Sequence, residues 1–258
     1  MKLVTVGTGT VSPSATRSSA AHWIEVGTCR LLMDCGAGTC HGLARCGLPW
    51  QQITHVAITH FHTDHIGELP ALIFAMKYGA MAHRSAPLTI YGPVGMRAKL
   101  GTFAAAFGAW VTDPGFPLDV VEVIPAGGRG APSVIELVTG VTLDACKTPH
   151  TDESVAYRVA TNAARLVYTG DTGPSDAVGD WARGCDLLLA ECSLPDAMAM
   201  DIHLTPTSAG ALARRAEAKR LVLTHLYPPV ETEDIPGIVG GTYSGSVVVA
   251  KDGDRFEC

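Results

Sequence analysis

The run Thr59-His-Phe-His-Thr-Asp-His65 puts three imidazoles and a carboxylate within seven residues, in the order His-x-His-x-Asp-His. Neutral imidazole nitrogen and carboxylate oxygen are what a divalent transition metal accepts as ligands. In an extended segment side chains repeat every second residue, so His60 and His62 point to the same side. Asp64 and His65 then follow where the chain turns, and face a second centre beside the first. Packing alone does not call for four ligand-type side chains at this spacing. The run reads as a metal site at the end of a strand.

The rest of the composition suits a well-packed enzyme. The chain has 258 residues, 47% hydrophobic and 17% charged. A chain of this length buries roughly 70–75% of its unfolded surface and needs no disulfides for stability. The eight cysteines are scattered, none forms a C-x-x-C pair, and the start Met1–Val6 lacks the apolar core of a signal peptide. Free thiols and a cytoplasmic location are therefore expected. Cys35, Cys40, His41 and Cys46 lie close together, at a spacing that matches no common zinc knuckle. No apolar run reaches the length of a membrane span. A net charge of -6 disfavours non-specific binding to a long polyanion, but not a small anionic substrate at a cationic metal centre.

Short β-rich runs alternate with helical patterns. Strands are predicted at 3–6, 22–26, 30–33, 55–58, 88–91 and 120–124, then at 141–146, 155–159, 166–169, 187–190, 220–223 and 246–250. Helices are predicted over 66–78, with Pro70 in the first turn, within 94–107, and over 207–218, behind Thr205 and Pro206. The glycine- and proline-rich stretch 125–132 reads as a loop joining two similar halves. Asp252-Gly253 reads as a hairpin turn. The aromatics of 81–116 (Tyr91, Phe103, Phe107, Trp110), with His83, read as a local core. Tyr227 and Tyr243 are candidates for lining a substrate pocket.

Three further ligand-type residues each end an apolar run: His150 after 141–146, Asp171 in Tyr168-Thr-Gly-Asp-Thr-Gly173, and His225 in Val222-Leu-Thr-His-Leu226. With these residues the chain resembles the metallo-β-lactamase superfamily, and within it the ribonuclease Z-like metal-dependent hydrolases. The start Gly7-Thr-Gly-Thr-Val-Ser-Pro-Ser14 with Arg17-Ser-Ser19, and Leu31-Leu-Met-Asp-Cys-Gly36, are similar to that branch as well. The resemblance implies an α/β fold, a four-layer αβ/βα sandwich, with residues 1–258 forming one domain of two similar αβ halves. It implies that His60, His62 and His150 bind one metal, that Asp64, His65 and His225 bind another, and that Asp171 bridges them. Asp34 would support the site from behind. The two divalent ions would be zinc, with manganese or iron as alternatives. A hydroxide bridging them would attack the substrate, with Asp64 orienting or deprotonating the water. Glu191 and His203 would form a proton relay to the leaving oxygen, because an expelled alkoxide departs poorly until it is protonated.

The implied activity is a phosphodiesterase acting on a small or medium anionic ester. An arylsulfatase, esterase or lactonase on the same ions is the alternative, and tRNA 3′ processing of the ribonuclease Z type is the second. Against tRNA, the stretch between His150 and Asp171 has no room for the glycine- and proline-rich arm of the tRNA-processing members. The last histidine is also followed by Leu226-Tyr-Pro-Pro229 rather than by a serine and an arginine. A homodimer is implied by resemblance alone, and no membrane partner is expected.

Overall fold

The computed structural model describes residues 1–258. Its first sheet takes β1 (Lys2–Gly7), β2 (Ala21–Val26), β3 (Cys29–Met33), β4 (His55–Ala57), β5 (Leu88–Pro93) and β6 (Leu118–Val123). The second takes β7 (Val134–Val138), β8 (Val141–Lys147), β9 (Val155–Ala160), β10 (Arg165–Tyr168), β11 (Leu187–Glu191), β12 (Arg220–Thr224) and β13 (Ser246–Val249). The last strand, β14 (Arg255–Glu257), crosses back and pairs antiparallel with β1. The strand orders are β14-β1-β2-β3-β4-β5-β6 and β13-β12-β11-β10-β9-β8-β7. Each sheet makes three antiparallel pairings followed by three parallel ones. The loop over 125–132 joins β6 to β7, and so one sheet to the other, as expected.

Alternation along the strands divides the core into layers. Leu31 and Met33 of β3 face the space between the sheets, as do Leu189 of β11 and Tyr157 of β9. Their neighbours Leu32 and Leu188 face outwards under helices. On the first sheet those helices are α1 (Thr39–Arg45), α2 (Thr63–Ile66), α3 (Leu69–Tyr78) and α4 (Met96–Phe107); on the second, α5 (Asp176–Trp181), α6 (Pro206–Arg215) and α7 (Ile235–Gly240). Residues of β11 are buried throughout, the pattern of a parallel strand covered on both faces. Helix α6 starts where the sequence indicates. Thr205 and Ser208 cap each other's backbone, Pro206 opens the first turn, and Arg214 and Arg215 sit at the negative end. The result is the αβ/βα sandwich.

Several expectations change. The single helix over 66–78 is two, because the backbone of Cys35 intervenes: its N–H donates to His65 O at 2.7 Å and its carbonyl accepts from Glu68 N at 2.9 Å. Asp252-Gly253 does turn the chain, but the flanking strands β13 and β14 belong to different sheets, so no hairpin forms. Tyr243 is buried beneath the second sheet's helices and donates to Ala218 O, away from any substrate pocket. Tyr91 is buried and Phe103 and Trp110 pack on the outer layer, whereas His83 and Phe107 are exposed. All eight cysteines are unpaired. No helix is long and apolar enough to cross a membrane.

Candidate metal centre

Strand β4 runs on in extended conformation to His62, and α2 begins at Thr63. His60 and His62 therefore precede the turn, and Asp64 and His65 lie in the short helix after it. From the second sheet, His150 comes from the β8–β9 loop, Asp171 follows β10 and His225 follows β12. Two of these strand ends need a left-handed backbone, at Gly170 (φ 55°) and at His225 itself (φ 55°). Asp34, directly after β3, has φ 57°. Such conformations are costly for residues other than glycine and gather at functional sites.

All seven residues meet in two groups. His62 Nδ1 lies 3.1 Å from His60 Nε2 and 3.1 Å from His150 Nε2. His65 Nε2 and His225 Nε2 are 3.2 Å apart, with Asp64 Oδ2 3.4 Å from His225 Nε2. Nitrogen ligands at about 2.0–2.1 Å around one tetrahedral ion stand about 3.3 Å from each other. Asp171 divides its oxygens between the groups. Its Oδ2 is 3.5 Å from His150 Nε2 and 3.8 Å from His60 Nε2, and its Oδ1 is 3.2 Å from His65 Nε2 and 3.4 Å from His225 Nε2.

The outer nitrogens are tied down. His65 Nδ1 donates to Asp34 Oδ2 at 2.7 Å and His150 Nδ1 to Ile202 O at 2.9 Å. His225 Nδ1 contacts Ser193 Oγ at 2.9 Å, and His60 Nδ1 contacts Thr59 Oγ1 at 3.1 Å. Fixing Nδ1 in this way turns Nε2 inward as a ligand atom. Asp34 also accepts from Thr59 N at 2.8 Å, Thr59 Oγ1 at 2.9 Å and the Tyr168 hydroxyl at 2.8 Å, so it holds both sheets behind the centre.

The electrostatics fit a cation. Burial, followed by the neighbouring imidazoles, pushes the His60 pKa far down, so this ring stays neutral. Burial also lowers His150. For His65, burial acts the other way from the net result: the Asp171 and Asp34 carboxylates outweigh it and raise its pKa well above the usual histidine value. Buried carboxylates thus demand positive charge at this point, and Asp171 Oδ1 is buried without a hydrogen-bond partner. Divalent cations would answer both demands. His62 is exposed and His60, His65 and His225 are buried, so the centre opens to solvent on the His62 side.

His203 sits beside this opening. Its ring centroid is 4.9 Å from that of His150 and 6.1 Å from that of His225. Its Nδ1 contacts Glu191 Oε1 at 3.1 Å and Oε2 at 3.2 Å. Burial opposes protonation, but the Glu191 hydrogen bond and charge, with Asp171 and Asp64 beyond, prevail and raise its pKa. Glu191 is itself gripped by Thr172 N at 2.7 Å and Leu204 N at 3.2 Å. A Cβ at Gly173 would collide with the Asp201 carbonyl, so the Asp171 loop and the His203 loop touch backbone to backbone. Tyr227 presents its ring edge-on to His203 and His225, at 6.3 and 6.0 Å.

Sequence reasoning gave no role at the site to Tyr168, Thr59, Ser193 or Asp252. Asp252 accepts from Thr8 N, Thr8 Oγ1 and Ser18 N, and so anchors the N-terminal loop. A signal existed for Ser193: it stands two residues after Glu191, the spacing that puts strand side chains on one side.

A four-layer αβ/βα sandwich with a His-x-His-x-Asp-His run after one inner strand, and lone His, Asp and His ligand candidates after strands of the other sheet, defines the metallo-β-lactamase class of metal-dependent hydrolases. The chain belongs to the β-lactamase superfamily, whose domain family model matches residues 29–226, and within it to the ribonuclease Z-like branch. Ribonuclease Z of Mycobacterium bovis (strain BCG / Pasteur 1173P2) is 28% identical, with 100% of this chain and 98% of that protein covered. Human tRNase Z, short form, is 27% identical with a TM-score of 0.80, covering 100% of this chain and 99% of that one. The metallo-β-lactamase fold protein YhfI from Bacillus subtilis superposes with a TM-score of 0.83 at 24% identity, over 99% and 98% of the two chains.

Proposed function

We propose that this hydrolase is a dinuclear phosphodiesterase, acting as one domain over residues 1–258. The observation that carries the reading is the division of Asp171: one carboxylate oxygen faces His60 and His150, the other faces His65 and His225. His60, His62 and His150 would hold one ion and Asp64, His65 and His225 the other, with Asp171 shared; zinc suits this ligand set, as do manganese and iron. Two such ions would supply Lewis acidity and a water of near-neutral pKa. Asp64, in the second group, would orient that water and accept its proton as the water oxygen bonds to phosphorus. His203, anchored through Nδ1 on Glu191, presents Nε2–H to the leaving oxygen and protonates it as the P–O bond breaks. The Glu191 carboxylate at its Nδ1 raises its pKa against the effect of burial, which favours the protonated form an acid needs.

The acid pair is what favours a phosphodiester over an activated ester, whose leaving group departs without a proton. Ribonuclease Z-type processing of tRNA is the second reading, supported by relatives similar along the whole chain. Against it stands the turn between β9 and β10, only Thr161–Ala164, where an arm would have to emerge. The alignment with the Mycobacterium bovis enzyme is also longer than this chain, so that relative has residues with no counterpart here. The test is metal content by mass spectrometry together with hydrolysis of bis-p-nitrophenyl phosphate, an aryl sulfate, an aryl acetate and a tRNA precursor. Near two ions per chain with preference for the phosphodiester is expected. Preference for sulfate or carboxylic ester would overturn the substrate class, preference for the precursor would favour the second reading, and a chain that takes up no metal would sink the centre.

A further inference from the structure

We propose that Ser193 is a positioning residue that ties the leaving-group acid pair to the second metal group, so that Glu191 orients His203 directly and His225 through the serine. The inference rests on the dinuclear reading above. Ser193 is wholly buried. Its Oγ meets Glu191 Oε2 in a short hydrogen bond, His225 Nδ1 at 2.9 Å and His225 O at 3.1 Å.

A serine hydroxyl has one proton to give and two lone pairs to offer. The carboxylate oxygen is the stronger acceptor, and a bond to an ionised group is the strong kind. The hydroxyl therefore donates to Glu191 and accepts from His225 Nδ1–H. That choice fixes the His225 tautomer: Nδ1 carries the hydrogen, and Nε2 faces His65, Asp64 and Asp171 with its lone pair bare. The remaining contact, to the His225 carbonyl, lies at a residue with φ 55°. The hydroxyl's one proton is committed to Glu191, so the carbonyl contact is not a second donated bond, and the serine acts on this residue through its ring.

Glu191 becomes a hub. It reaches His203 Nδ1, the N–H of Thr172 next to Asp171, and His225 through Ser193. An alanine at 193 leaves His225 Nδ1–H facing an apolar methyl, in a buried place where an unpaired donor is costly. The His60, His62 and His150 group has no hydrogen bond to Ser193, so the damage falls on one ion.

The test is a titration of metal-free wild-type protein, Ser193→Ala and Ser193→Cys with Zn2+ against a chromophoric chelator, with thermal melts of the metal-free forms. Wild type is expected to take two equivalents. Ser193→Ala is expected to hold one at wild-type affinity and to bind the other about 10–100-fold more weakly, the usual effect of losing a partner behind a metal ligand, with a metal-free melt lowered by about 2–10 °C for the bonds lost in the buried cluster. Ser193→Cys, a weak donor and acceptor, should fall between them, and carries the test if the alanine variant does not fold. Two equivalents at wild-type affinity in whichever variant folds would overturn the proposal, as would equal weakening of both equivalents. Fewer than two equivalents in wild type would instead remove the dinuclear reading, and this proposal with it.

Discussion

The two sheets follow one plan and furnish the centre in opposite ways. In the first, four ligand-type side chains come from a single stretch, His60 to His65, where β4 gives way to α2. In the second, His150, Asp171, Glu191 and His225 come one at a time from or after β8, β10, β11 and β12. The fourth strand of each series even leads to an aspartate, Asp34 after β3 and Asp171 after β10. Asp34 is enclosed by Thr59, His65 and Tyr168, while Asp171 is aimed between the two groups of histidines. A local run supplies ligand candidates whose mutual spacing is set by the backbone itself. The dispersed set has its spacing from sheet register, and so depends on every strand being in place.

That contrast breaks most sharply at Asp171, where the two supplies meet. Asp171→Ala should lower metal content in both groups and cut diester hydrolysis by about 10³-fold, the consequence of losing several kcal/mol of charge stabilisation. Mass spectrometry of the purified variant reads the first effect, and an unchanged metal content would show that the groups are independent. His203→Ala tests the dispersed side alone. Hydrolysis of diesters with poor leaving groups should fall about 10²–10⁴-fold while p-nitrophenyl diesters are spared. Equal loss on both would rule out the role of acid.

Smaller effects probe the seam between the sheets. His22 of β2 packs edge-on against Tyr168 of β10, at 4.7 Å between ring centroids, and neither of its nitrogens has a partner. Burial, then the charges of His65 and His225, pushes its pKa down to about 3. The unfolded chain, with an ordinary histidine value near 6.5, binds this proton first, so stability falls as pH drops from about 6.5 towards 3. His22→Met should flatten that part of the melting-temperature profile and leave the neutral end nearly unchanged; an identical acid slope would show that His22 is not the group responsible. Tyr168→Phe removes one of the bonds to Asp34 and should cost about 0.5–1.5 kcal/mol in chemical denaturation. A larger loss would mean that the hydroxyl organises more of the seam than Asp34 alone.

The same contrast explains what could be read from the residues. The run at 59–65 announced itself through local spacing, and the long buried strands through continuous apolar content. His150, Asp171 and His225 were legible because each ends such a strand. The break between α2 and α3 was not, since apolar period runs on through Gly67 and Glu68 and only the Cys35 backbone, more than 30 positions away, interrupts it. Strands β7 and β14 and helices α1, α5 and α7 are short, with too little period to stand out. Tyr243 was misplaced because an aromatic near a glycine-rich stretch looks the same whether its ring meets solvent or a helix layer. Ser193 had only the faint signal of its place two residues after Glu191, and a serine shows its role only once its neighbours are in space.

Strand β14 gives the plan a temporal side. Its pairing with β1, and the bonds between Met1 and Cys258, join the two ends of the chain. During synthesis the first sheet emerges early, but its edge at β1 stays open until residues 255–257 leave the ribosome. The N-terminal loop waits equally for Asp252. The half whose ligand candidates are most local is therefore closed after the other, and a nascent chain holds its His-x-His-x-Asp-His run on an unfinished sheet from the moment it emerges until residues 255–257 follow.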